Sequence, residues 1–278
     1  NRGGTFRVLP DGEERAGSLA YVTNTNVLRT VLTTADGAVE VLDFAPRRPH
    51  GLAVEAPLAV VRLVRPLYGQ PRVAFDFDPR PDYARAAAQC VPRGGGLEVL
   101  GGPTPLHLAT NLPVAYLESR HVVTVRRPLY FVLSVSPPST DLATVEHDLA
   151  ATIAGWRAWS KTCALPTFAP EQVLRSALCL ALHVYEDTGA IIAATTTSIP
   201  EAMGTERTWD YRYCWLRDAA FVVEALRRLS HLHQGERFID FLRDVAESGP
   251  LQPLYGIGGE RALEEQVLGH LAGFGHPR

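Results

Sequence analysis

The chain has 278 residues, 46% of them hydrophobic, and a formal net charge of −3. That length and apolar content suit one large domain or two ordinary ones. Weak acidity without a basic stripe argues against nucleic acid as a partner, and no run of about 18 apolar residues offers a membrane span.

Residues 1–137 read as β structure. In "VLTTADGAVEVLDF", Asp36-Gly37 stands between two β-rich runs, and both residues tolerate positive φ, so a hairpin is expected there. "AVVRLVRPL" continues the pattern. "RVAFDFDP" alternates Val73, Phe75 and Phe77 with Ala74, Asp76 and Asp78, which predicts a strand with one buried face. "AYLESRHVVTV" and "LYFVLSVS" read as further strands, separated by turns such as "PRGGG" and "GGPTP". Many short antiparallel strands predict a sandwich.

At "SPPST", residues 136–140, the apolar period becomes helical. Leu142, Val145, Leu149, Ile153 and Trp156 predict a helix near 141–161, with Thr140 as N-cap and Asp141 in the first turn. Helices are also predicted around Val173–Val184, with Pro170 near N1, around Phe221–Leu229, and around Phe238–Val245 before Gly249-Pro250.

The four cysteines, Cys90, Cys163, Cys179 and Cys214, form neither a CxxC pair nor a Cys/His cluster, so no metal site is expected. Isolated thiols suit a reducing, cytoplasmic setting. "GIGGERALEE" carries Gly256, Gly258 and Gly259 outside any strand–turn–helix setting, so no nucleotide or other cofactor is expected. Glu264 and Glu265 read as a solvated helix face, and His231 and His233 as helix-end residues. The chain opens on Asn1 without a signal peptide and closes on the loop-like "GFGHPR", which suggests a fragment or processed chain.

The chemistry concentrates in "TTTSIPEAMGTERTWDYRYCWLRD", a long polar and aromatic segment between two amphipathic helices. Arg217 and Asp218 fall at the next helix start, where a carboxylate meets free backbone N–H groups. One reading is local: Asp218 caps the helix and Arg217 pairs with a neighbour. The other is a polar clamp in an aromatic cup. Aspartate accepts hydrogen bonds from hydroxyls, arginine donates from a rigid fork, and tyrosine and tryptophan offer flat faces. That combination suits a sugar ring.

The stretch from "RSALCLALHVYED" through "TWDYRYCWLRDAAFVVEAL" strongly resembles the start of the catalytic domain of family 15 glycoside hydrolases, the bacterial glucoamylases and trehalases. "LYGIGGERALEEQVLGHLAGF" resembles a segment that follows it. "GGTFRVLP" through "TNVLRTVLTTADGAVEVLDFAP" resembles the β-sandwich that precedes the barrel in bacterial members. The resemblance implies a β + α multidomain protein, an antiparallel β-sandwich followed by the first helical hairpins of an (α/α)6 barrel. The domains expected are a sandwich over 1–137 lacking its first strands, a linker helix over 138–165, and an incomplete barrel over 166–278. It implies an inverting, exo-acting hydrolase of α-glucosidic bonds, on an α-glucan oligosaccharide or trehalose. Arg217 and Asp218 match the pair that holds the terminal glucose, and Tyr211 and Trp215 match aromatics of the same pocket.

The family's two catalytic glutamates belong to later segments, so no catalytic residue is expected within this chain. Glu201, Glu206 and Glu260 are not assigned those roles. The chain alone is expected to be inactive, and apolar stripes through Phe238, Phe241, Leu242 and Val245 are expected to lie exposed and favour association. The alternative is a non-catalytic carbohydrate-binding or degenerate scaffold protein.

Overall fold

The computed structural model describes residues 3–12, 15–50, 53–197, 199–205 and 207–271. The strands of the first half are β1 (Thr5–Pro10), β2 (Arg15–Tyr21), β3 (Leu28–Thr34), β4 (Gly37–Phe44), β5 (Arg48–His50), β6 (Ala53–Glu55), β7 (Ala59–Gly69), β8 (Arg72–Asp78), β9 (Gln89–Arg93), β10 (Gly96–Leu100), β11 (Leu106–Thr110), β12 (Val123–Thr124) and β13 (Leu129–Ser134), with a single helical turn, α1 (Ala115–Glu118), before β12. Then come α2 (Leu142–Lys161), α3 (Pro170–Ala181), β14 (Cys214–Trp215), α4 (Leu216–Arg228), α5 (His233–Glu247) and β15 (Leu254–Tyr255). The chain divides into two compact units between Arg157 and Ala158, within α2.

The β unit is an antiparallel sandwich. Its large sheet runs β2-β3-β4-β7-β13-β11-β10-β9 and its small sheet β1-β8-β12. The central strands bury both faces, and the period of two sorts their residues between two cores. Val39, Val41, Val64 and Phe131 face the small sheet's Val73 and Phe75. Their neighbours Leu42, Phe44, Leu63, Tyr130 and Val132 face the other way, onto Val145 and Leu149 of α2. The helix predicted as a linker thus covers one face of the sandwich. Arg48 fastens it there, with Nε and Nη2 donating to the two carboxylate oxygens of Asp148 at 2.7 and 2.8 Å.

Phe131 joins the two sheets. It is 1% exposed and meets Phe6 of β1 at 5.1 Å and Phe75 of β8 at 4.7 Å between ring centroids. Arg62 of β7 adds a polar link. It pairs with Asp43 across the strands, donates to the Phe6 carbonyl at 2.6 Å and lies over the Phe6 ring.

Several local expectations need correction. The β3–β4 hairpin forms, but Thr34 pairs with Gly37, so Ala35 and Asp36 make the turn and Gly37 opens β4. Glycine is needed there because a Cβ would strike the Tyr68 carbonyl of β7. "AYLESRHVVTV" is not one strand; it holds α1 and the two-residue β12. Asp76 alternates away from the core as expected, yet it is 2% exposed. Arg7 and Arg120 cover it, at 2.9 and 2.7 Å, and the Arg7 hydrogen bond holds its carboxyl below the usual range despite burial. At the start of α2, Asp141 rather than Thr140 is the cap, since its carboxylate accepts the Thr144 N–H at 2.8 Å.

In the helical unit, α4 packs against α3 and α5. Phe238, Phe241 and Val245 are not exposed. They form a core with Ala190, Ile191, Cys214 and Tyr255, and Leu242 packs against it. The apolar side chains that α4 and α5 expose are Phe221 and Ile239. Glu264 and Glu265 are exposed in an irregular stretch, not on a helix. All four cysteines are free, and no helix among the described residues is long and apolar enough to cross a membrane.

His231 is a packing residue. Its ring stacks on Trp159 at 3.8 Å, and its Nε2 lies 2.9 Å from the Cys163 sulfur. Burial lowers its pKa below the ordinary 6.5. The unfolded chain therefore binds this proton more readily than the folded one. The stability held by neutral His231 is complete above pH 6.5 and declines as pH falls through that value toward the lower folded pKa. Thermal unfolding between about pH 5 and 7 is expected to show this slope, and His231→Phe to flatten it. An unchanged slope in the variant would exclude His231 as its source.

Candidate functional site

The long segment after α3 is not structureless. Beyond the Val184–Ile191 bridge, residues 193–196 run against 211–213. Ala193 N–H donates to the Tyr213 carbonyl, Ala194 N–H to that of Tyr211, and Tyr211 N–H to that of Thr196, all within 2.9–3.0 Å. Cys214 and Trp215 then pair with Tyr255 and Leu254 as β14–β15. Cys214 and Tyr255 are fully buried. The Tyr255 hydroxyl accepts the Gln252 N–H at 2.8 Å, and Leu216 N–H donates to the Pro253 carbonyl. Trp215 is thereby anchored immediately before α4 begins.

Arg217 and Asp218 lie in the first turn of α4. The Arg217 guanidinium donates twice to Asp218 Oδ2, from Nε at 3.2 Å and Nη2 at 3.0 Å, and its Cζ sits 5.5 Å from the Trp215 ring centroid. Oδ1 of Asp218 has no protein partner among the described residues. The Asp218 side chain is 34% exposed and that of Arg217 72%. Three of the four expected residues therefore meet: Trp215, Arg217 and Asp218. The local pairing of Arg217 with a neighbour is present, and it leaves one carboxylate oxygen available.

Tyr211 belongs to an adjacent group. Its hydroxyl donates to Glu201 Oε1 at 3.2 Å, and Arg207 faces Glu201 Oε2 at 3.5 Å. No ring contact joins Tyr211 to Trp215 among the described residues. Burial, then Glu201, raises the Tyr211 pKa. Nearby, Arg212 and Asp210 form a two-pronged ion pair, and Trp209 is 40% exposed. Sequence reasoning left Glu201 without a catalytic role and did not tie it to Tyr211, because it lies ten positions before Tyr211 in a loop without periodicity. The only hint is its place after Pro200, where the loop turns back. Glu260 folds onto its own loop, accepting the Gly258 N–H at 3.0 Å. Glu206 and the "GFGHPR" tail lie outside the described residues. Among the described residues, no group of three or more His, Cys, Asp and Glu side chains is placed to hold a metal ion.

A β-sandwich followed by a helical unit, with polar and aromatic side chains gathered where a loop enters a helix, defines a multidomain β + α architecture. Comparison with known proteins shows what the chain resembles. Residues 168–277 match the profile of glycosyl hydrolases family 15, and residues 1–116 that of a trehalase-like N-terminal domain. Over 99% of its length the chain is 31% identical to a trehalase of Mycolicibacterium smegmatis and 31% identical to one of Mycobacterium tuberculosis, covering 46% and 45% of those proteins. Trehalase 2 of Sulfolobus acidocaldarius is 40% identical over 94 residues, which is 33% of this chain and 16% of that protein. The chain is thus similar to family 15 glycosyl hydrolases over residues 168–277 and to proteins named trehalases over nearly its whole length, and it spans about half the length of those curated relatives.

Proposed function

We propose that this chain supplies the glucose-holding part of an inverting hydrolase whose substrate is trehalose. The observation that carries the reading is the Trp215–Arg217–Asp218 group at the start of α4. Asp218 Oδ1 stands open to accept sugar hydroxyls, Arg217 retains further N–H donors, and the Trp215 face suits the C–H face of a pyranose. The naming of similar proteins as trehalases favours trehalose over a longer α-glucan.

Holding a sugar does not by itself lower the barrier to cleavage. An inverting reaction needs an acid at the leaving oxygen and a base for water on the opposite ring face, with carboxyl groups roughly 6.5–9.5 Å apart. We assign neither role to the glutamates near this group. Glu201 is engaged by Tyr211 and Arg207, and Glu260 by its own loop. Glu264 and Glu265 are exposed neighbours in irregular chain.

The test is to give trehalose to the enzyme that carries this chain and follow the anomers by NMR before mutarotation. Inversion at one carbon releases one β-glucose and one α-glucose per trehalose. Two α-glucose molecules would exclude inversion. No release at all, with trehalose still bound, would establish a binding protein instead.

A further inference from the structure

The Tyr211 ring is tied at its backbone and at its tip. Its N–H and carbonyl are both engaged in the ladder with Thr196 and Ala194. That leaves side-chain rotation as the ring's main freedom, and the hydroxyl contact to Glu201 restricts it. Glu201 is itself held. Its N–H donates to the Arg207 carbonyl at 3.1 Å, and Arg207 faces the carboxylate oxygen that Tyr211 does not use. A phenol has one proton to donate and two lone pairs to offer. With the proton directed at a carboxylate, the oxygen presents only lone pairs to a ligand.

We propose that Glu201 is a positioning residue for the sugar site: by accepting the Tyr211 hydroxyl proton it fixes the ring and makes the phenolic oxygen an acceptor, so that Tyr211 recognises a sugar hydroxyl as donor. The inference rests on the placement of Tyr211 in the glucose-holding site. Glu201 touches no substrate in this role; it acts through Tyr211. The raised Tyr211 pKa, to which Glu201 contributes after burial, agrees with the same contact.

A double-mutant cycle in the enzyme that carries this chain tests it, with trehalose as ligand. Tyr211→Phe and Glu201→Ala are each expected to raise KM by about three- to tenfold, the scale of one neutral hydrogen bond to the sugar, with a smaller change in kcat. The double variant should be no worse than Tyr211→Phe alone, because Glu201 has nothing left to position. Glu201→Gln keeps an acceptor and should restore most of the affinity. In the same variant the phenol ionisation that Tyr211→Phe abolishes should move to lower pH, a shift that loosening of the loop elsewhere would not produce. Additive losses, or an unmoved phenol titration, overturn the positioning role while leaving Tyr211 in the sugar site. A silent Tyr211→Phe removes Tyr211 from that site and overturns both.

Discussion

Under the proposed function, Asp218→Ala is expected to lower kcat/KM for trehalose by about a hundredfold or more. A hydrogen bond to a charged group contributes roughly 1.5–3 kcal/mol, and a carboxylate facing vicinal hydroxyls accepts two. The loss has a second source. Arg217 donates both of its described bonds to Asp218 Oδ2. Without that oxygen the guanidinium is free to rotate away from the Trp215 face. Asp218→Asn separates the two effects. It keeps an acceptor in place and removes the charge, so it should fall between wild type and alanine. Activity within about threefold of wild type for Asp218→Ala would refute the assigned role, because that margin is under 1 kcal/mol. Circular dichroism should be unchanged in either variant, since the side chain is not part of a packed core.

Phe131→Ala is expected to destabilise the β unit by about 3–5 kcal/mol, the usual cost of deleting a fully buried aromatic ring. The site has little means of collapsing. Phe6, Phe75 and Phe131 come from three strands in two different sheets, and each strand is fixed in register by its own ladder. Removing the middle ring also takes away two aromatic contacts worth about 0.5–1.5 kcal/mol each. Phe131→Leu retains most of the volume and should cost less than alanine. Urea unfolding of the two variants reads the difference. A cost below about 1 kcal/mol for alanine would show that the sheets close over the gap, contrary to the packing described.

The division of the chain into a β part and an α part was legible from periodicity. Alternation marks Val73 through Asp78, and three- and four-residue steps mark Leu142 through Trp156. Both are local properties of side-chain direction. The gathering of Trp215, Arg217 and Asp218 was legible for the same reason, since neighbours at a loop–helix junction need no long-range pairing to meet. Pro170 at the start of α3 and the stop at Gly249-Pro250 follow from backbone chemistry carried by single residues.

Other features were decided by tertiary structure. Alternation assigned Asp76 to an outer face, but could not show that Arg7 and Arg120, distant in sequence, would close over it. Helical spacing identified the apolar stripe of Phe238, Phe241 and Val245, but not the partner that buries it, which comes from β14, β15 and the bridge segment at Ala190-Ile191. Nor could spacing show that α2 would seal a second face of the large sheet, or that Glu201 would reach Tyr211. Periodicity records which way a side chain points along its own element. What it points at depends on pairings between segments far apart in the chain, and those are set only when the whole unit packs.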